Sequence, residues 1–257
     1  MKYKTLGVLA AALFLSGTGQ TVVKGLIPPA FALNLKNKEQ EVKRYIQVLQ
    51  TERVPGERGQ AAKLLGMLED PIALDVLHKA LISDTNTDVR RACANAIARI
   101  NQKSSVPRLL EAIKLNRGRT DVQLAIIQAL GDMGETTRDV VPVIVTFLRS
   151  PSPFVREATV EALWKITATI PADKLKEPRS YSEMAKQRDK VSRVLNSLLS
   201  TEKELNVLLT LTSLIADFRD PASVPILTKV SENKKAHVDV QSLARDALEK
   251  LEHMGVE

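Results

Sequence analysis

Apolar residues recur at i, i+3, i+4, i+7, i+8 and i+11 through Val89, Ala92, Cys93, Ala96, Ile97 and Ile100. That spacing is one stripe of a helix with 3.6 residues per turn. The stripe returns in copies that begin at Glu57, Val122, Val155, Val207 and Val240, so the six copies are separated by 32, 33, 33, 52 and 33 residues. One interval therefore carries an insertion of 19 residues. A near-constant period of this length marks a solenoid, in which each unit buries its apolar face only by stacking on its neighbours.

Each copy reads as the second helix of a pair. The expected pairs are 38–50 with 56–69, 71–82 with 87–101, 104–115 with 120–133, 138–149 with 153–168, 182–199 with 203–218, and 221–231 with 238–254. Asp70-Pro71, Ser152-Pro153 and Asp220-Pro221 each set a capping acceptor before a proline at the first helical position. Ser83–Asp88 is a polar connection without an apolar residue. Gly131-Asp-Met-Gly134 reads as a helix end. Val140–Val145 is rich in β-branched residues yet stays in phase with the helical repeat. In the last helix Gln241, Arg245, Asp246, Glu249 and Lys250 form a wettable face, as a terminal repeat needs.

Val89-Arg-Arg-Ala-Cys-Ala-Asn-Ala-Ile-Ala-Arg-Ile100, Ala62–Pro71, Ala129–Gly134 and Asp220–Leu227 resemble the short HEAT-like repeats named after phycobilisome lyases. The resemblance covers about 38–254. It implies an all-α, right-handed solenoid of about six helical hairpins, but it says little about function, because adaptors, DNA-repair glycosylases and metal-dependent hydroxylases share such repeats. It also implies that Arg and Asp at fixed repeat positions tie neighbouring units together. Ankyrin repeats have the same period, but their Thr-Pro-Leu-His signature is missing. The recurring aromatic positions of tetratricopeptide repeats are missing too.

The N-terminus changes the picture of charge. Met1–Lys4 is basic, Leu6–Leu15 is apolar, and Ala30-Phe31-Ala32 is an A-x-A site. Together they read as a signal peptide over 1–32, cleaved after Ala32, with a single repeat domain over 33–257. An apolar run of ten residues is too short to span a bilayer, for which about twenty are needed. An uncleaved N-terminal anchor is the rival reading. Lys24, Pro28 and Pro29 oppose it. Cleavage lowers the formal charge from +7 to +4, which weakens a nucleic-acid reading. The one cysteine, Cys93, lies in the apolar stripe and reads as a buried hydrophobe rather than a reactive thiol.

Candidate binding residues come from three places. The insertion at 168–190 holds Lys174, Lys176, Arg179, Lys186, Arg188 and Lys190 against Asp173, Glu177, Glu183 and Asp189. It is either a solvated extension of the fifth repeat's first helix or a partner contact, with Arg179 a candidate. Trp164 stands where other repeats have Gly66, Ala98, Gly131 and Ala216. It is expected to pack beneath the insertion, the alternative being an exposed anchor. Arg91, Asn95 and Arg99 of the second repeat, with Glu157, Glu161 and Lys165 of the fourth, should line the concave face as a mixed-charge ridge. Arg58, Arg90 and Arg156 share one position and read as structural pairs rather than a phosphate row.

Catalytic patterns are missing. The histidines at 78, 237 and 253 form no His-Glu or H-x-x-x-H set for metal, and no G-x-S-x-G elbow occurs. The reading is therefore an exported, non-enzymatic, monomeric scaffold without cofactor or metal. It would bind a protein partner rather than nucleic acid and keep no membrane anchor after cleavage, in the periplasm or an equivalent lumen. The alternative is a chromophore-lyase-like or phycobilisome-processing protein acting on pigment proteins.

Overall fold

The computed structural model of the chain describes residues 29–116, 118–168 and 178–255, with side chains from residue 37 and, in the last stretch, from residue 182. The expected signal peptide lies almost wholly outside these residues. Helices follow one another with no strand among the described residues. They are α1 (Pro29–Thr51), α2 (Pro55–Leu68), α3 (Leu74–Ser83), α4 (Thr87–Ile100), α5 (Ser105–Leu115) and α6 (Thr120–Asp132). After these come α7 (Val141–Ile144), α8 (Pro153–Thr167), α9 (Pro178–Thr201), α10 (Leu205–Leu214), α11 (Ser223–Glu232) and α12 (Val238–His253). The chain divides into two units after Arg44. In the first, Glu39 and Lys43 make an i,i+4 ion pair of 2.6 Å on α1. The second unit, from Tyr45, carries the repeats.

Within the second unit the even-numbered helices form one row: α2 packs on α4, α4 on α6, α6 on α8, α8 on α10, and α10 on α12. The apolar stripe explains the row. Val89, Cys93 and Ile97 are fully covered, as are their equivalents Val122, Ile126 and Leu130, and Val155, Thr159 and Leu163. Small residues set the closeness. A Cβ on Gly66 would lie 2.8 Å from the Cα of Ala96, and one on Gly131 would lie 2.8 Å from the Cα of Ala162. Both are backbone contacts, so only glycine allows the approach.

Helix ends repeat as well. In four of the six copies the residue twelve positions on takes the left-handed conformation that ends a helix: Glu69 (φ 50°), Asn101 (φ 50°), Gly134 (φ 57°) and Arg219 (φ 53°). In the fourth repeat the equivalent Thr167 stays helical and buried, and the insertion follows. The caps at Asp70 and Asp220 form as expected, accepting from the N–H groups of Ile72 and Ala222 at 3.0 Å. Ser152 makes no capping bond, and Pro153 alone marks that start. Asn86 caps α4 by accepting from Asp88 and Val89. The segment 138–149 is helical, but only Val141–Ile144 is α-helix, flanked by 3₁₀ turns. Pro142 offers no N–H and the surrounding β-branched residues lose χ1 freedom in an α-helix, so the tighter turn takes over.

Candidate functional site

The arginine row is spent on holding repeats together. Arg58 donates through Nε and Nη2 to both oxygens of Asp84 at 2.7 and 2.8 Å. Arg156 does the same to Glu202 at 2.7 and 2.8 Å. In each case the remaining nitrogen, Nη1, donates to carbonyls just before its own helix: Glu52 and Arg53 for Arg58, Ser150 and Pro151 for Arg156. Arg90 reaches the Asp84 carbonyl at 2.7 Å and pairs with Asp121. Its carboxylate partner differs in position because the residue matching Asp84 and Glu202 in the third repeat is Arg117. The guanidinium of Arg58 holds Asp84 below the usual carboxylate range. Arg156, helped by the Lys203 and Glu204 N–H groups, lowers Glu202 to about 2. Arg58 and Arg156 are thus saturated, and Arg90 keeps only a buried Nε without an acceptor, so the row ties repeats together rather than presenting a phosphate site.

Outward from the buried stripe, the even-numbered helices expose a ridge with three positions per repeat. The sequence reading singled out Arg91, Asn95 and Arg99 on α4, and all three are exposed. Arg91 pairs with Asp88, whereas Asn95 and Arg99 make no hydrogen bond or ion pair among the described residues. On α8, Glu157 and Glu161 are half-buried and Lys165 is exposed. Lys165 is engaged, pairing with Asp132 of the preceding repeat at 2.6 Å. The same position recurs two repeats on as Asp217 with Lys250 at 2.5 Å. Glu157 accepts from the Thr210 hydroxyl at 3.2 Å, while Glu161 has no partner among the described residues.

Trp164 is half-buried, and its indole N–H donates to Asp217 at 2.8 Å. This places the indole at the α8–α10 junction, where the other repeats have a small residue. The segment 169–177, under which it was expected to sit, lies outside the described residues. So does the side chain of Arg179, although its backbone belongs to α9. The second half of the insertion therefore lengthens the fifth repeat's first helix.

The structure adds residues that the sequence reading passed over. Lys63 and Gln128 hold the ridge position of Asn95 and Glu161 and have no partner among the described residues. Phe154, at the start of α8, is 60% exposed. Two grooves separate neighbouring ridges. One of about 450 Å³ runs between α2 and α4, past Gln60, Lys63, Arg91 and Asn95. One of about 200 Å³ runs between α6 and α8, past Leu124, Gln128, Phe154, Glu157 and Glu161. The period marks these positions, since each lies one ridge step from a residue already named, but exposure of Phe154 depends on neighbours that the period does not specify.

No group of three or more His, Cys, Asp or Glu side chains suited to a metal occurs among the described residues. None of the described helices is long and apolar enough to cross a membrane. Burial pushes the Cys93 thiol up to about 12 and the His78 imidazole down to about 4.

The model for HEAT repeats matches residues 42–120 and again 113–188, together more than half of the 257-residue chain. The chain belongs to the HEAT-repeat family. No curated protein matches it. Among solved structures, this HEAT-repeat protein is similar to a designed armadillo repeat protein in complex with the peptide (KR)4. The two are 20% identical with a TM-score of 0.52, over 82% of this chain and 99% of that one. It is also similar to human deoxyhypusine hydroxylase in complex with glycerol (15% identity, TM-score 0.45, covering 86% and 88%). The complex of CpcE and CpcF of phycocyanin lyase from Nostoc sp. PCC7120 is comparable (20% identity, TM-score 0.44, covering 85% and 85%). The first likeness is one of fold alone, and the other two scores are too low to carry functional weight.

Proposed function

We propose that this HEAT-repeat protein is an exported, non-catalytic scaffold that binds an extended segment of a protein partner along the row of even-numbered helices. The observation that carries the reading is the uneven use of charge. The arginines of the repeat row are engaged in inter-repeat pairs within the chain, whereas Lys63, Asn95, Arg99, Gln128 and Glu161 stand along the ridge without partners among the described residues. Unpaired polar groups beside grooves and an exposed phenyl ring fit a polar contact with an aromatic centre. The second and fourth repeats carry opposite charge, which orients a partner and makes association salt-sensitive. The designed armadillo protein of the same fold holds a peptide, which supports the binding mode.

A photo-crosslinking residue placed at Asn95, Gln128 or Glu161 tests the reading, with Lys79, Glu111 and Lys229 on odd-numbered helices as controls. The proposal expects a discrete crosslinked species from the first set alone. Crosslinking confined to the control positions, or equal at both, would rule it out. Export is tested separately: intact mass from fractionated cells should show a form beginning at Leu33 outside the cytoplasm, and a full-length cytoplasmic form would refute it.

A further inference from the structure

A cavity lies away from the ridge, between the 3₁₀ and α-helical turns of 138–145 and the first half of α9. Its volume is about 810 Å³, within the roughly 300–1,000 Å³ of ligand-binding clefts. The walls are Val141, Pro142, Val145, Met184, Val191 and Val194. Val194 is 38% exposed, although it is large and apolar. The insertion is the reason the groove exists. Residues 183–194 belong to the long helix that the insertion extends, and α9 leans on α8, α10 and α11. It bridges to the turn of the preceding repeat through Gln187, which donates to the Arg138 carbonyl at 2.9 Å.

The charges around the groove do not cancel. Asp139 is taken by Lys103 at 2.7 Å and Glu183 by Lys186 at 3.3 Å. Among the described residues, Arg138 and Lys190 have no carboxylate within ion-pair distance. Arg138 is the more telling of the two. Its Nε and Nη1 are out of solvent and have no acceptor, and burial lowers its pKa. Buried N–H groups of a cation cost stability when left unmade, and an ionised acceptor relieves that cost. Arg58 and Arg156 are saturated by their own chain, whereas the half-covered Arg138 guanidinium keeps two unmet N–H groups beside an open apolar wall, a setting that suits an anionic acceptor.

We propose that this groove is a second docking site, receiving a partner segment in which a carboxylate is flanked by apolar side chains. The carboxylate pairs with Arg138, with Lys190 reinforcing it from the rim, and the apolar side chains lie against Val141, Val145, Met184 and Val194. This site goes beyond the ridge reading and is independent of it.

The test is selection of a random displayed peptide library on the full chain, on Arg138→Met, and on Glu161→Lys as a ridge control. Methionine keeps the length of the stem and removes the charge. The expected result is a family of peptides with Asp or Glu between apolar residues, binding Arg138→Met at least about tenfold more weakly and Glu161→Lys unchanged. Arg138→Met should also be as thermally stable as the parent or more so, because it removes an unmet buried donor; a purely structural arginine would give a less stable variant. Val194→Asp, at an exposed wall position, should weaken the same peptides with the fold intact. The proposal is overturned if no such family is enriched, if its peptides bind Arg138→Met equally well, or if their binding is lost with Glu161→Lys instead.

Discussion

Arg156 offers the sharpest energetic test, because its carboxylate partner is both enclosed and strongly perturbed. The Glu202 side chain is 5% exposed and receives four donors: two from Arg156 at 2.7 and 2.8 Å and the N–H groups of Lys203 and Glu204 at 2.9 and 3.0 Å. Replacing Arg156 with Met keeps most of the stem and removes both guanidinium bonds. Its pKa falls from 4.5 to about 2, and at about 1.4 kcal/mol per unit this links to roughly 3 kcal/mol of stability. The two backbone N–H groups supply part of that, so Arg156→Met should cost about 2 kcal/mol at neutral pH. For a repeat domain of this size the melting temperature should drop by about 4–8 °C. The sign follows from the direction of the shift. A carboxylate depressed in the folded state stabilises above its unfolded value near 4.5, and that contribution is lost as pH falls toward about 2. The variant and parent should therefore converge as the pH is lowered through that window. Thermal melts followed by circular dichroism at several pH values measure this. A loss below about 0.5 kcal/mol at neutral pH, the range of an exposed pair, or a loss that does not shrink in acid, would refute the reasoning.

Three further outcomes are expected. Gly66→Ala and Gly131→Ala should each destabilise by about 1–3 kcal/mol in urea titrations despite alanine's better helix propensity, since the new methyl meets the backbone of Ala96 or Ala162. Gly56→Ala, with open space around its new methyl, should be neutral or stabilising. The Cys93 thiol, fully covered and pushed up to about 12, should react with a thiol reagent only after denaturation; fast labelling of native protein would contradict its burial. His78 is held neutral by burial with its pKa near 4, so stability should fall as the pH drops from about 6.5 toward 4 while the unfolded chain takes up the proton. His78→Leu should flatten that slope in pH-dependent melts, and an unchanged slope would assign it to other groups.

The sequence made the helices legible because a stripe of apolar residues is a local property, and each helix buries the same stripe against the same kind of neighbour. Even the arginine pairing showed in the shared position of Arg58, Arg90 and Arg156. What it left hidden depends on geometry between repeats. Asp121 replaces the usual carboxylate because Arg117 occupies the regular place. Lys165 looks free along its own helix, yet Asp132 reaches it from the repeat before. Ser152 has the right type for a cap and makes no capping bond. The 3₁₀ turns around Pro142 follow from a local conflict between phase and propensity that the periodicity alone does not reveal. The Arg138 groove could not be foreseen as a cavity, although the insertion that builds it was visible as a broken period.

The ridge as a binding face is the central claim, and charge reversal tests it most directly. The dissociation constant of the crosslinked partner should be measured for the parent, for Arg99→Glu, for Glu161→Lys, and for Lys79→Glu and Lys229→Glu on the odd-numbered helices. The account predicts at least about tenfold weaker binding for a reversal on the ridge, a penalty that diminishes in high salt, with the other two variants unchanged. Equal affinity for the parent and both ridge variants, or a loss only for Lys79→Glu and Lys229→Glu, would place the partner elsewhere and contradict the account.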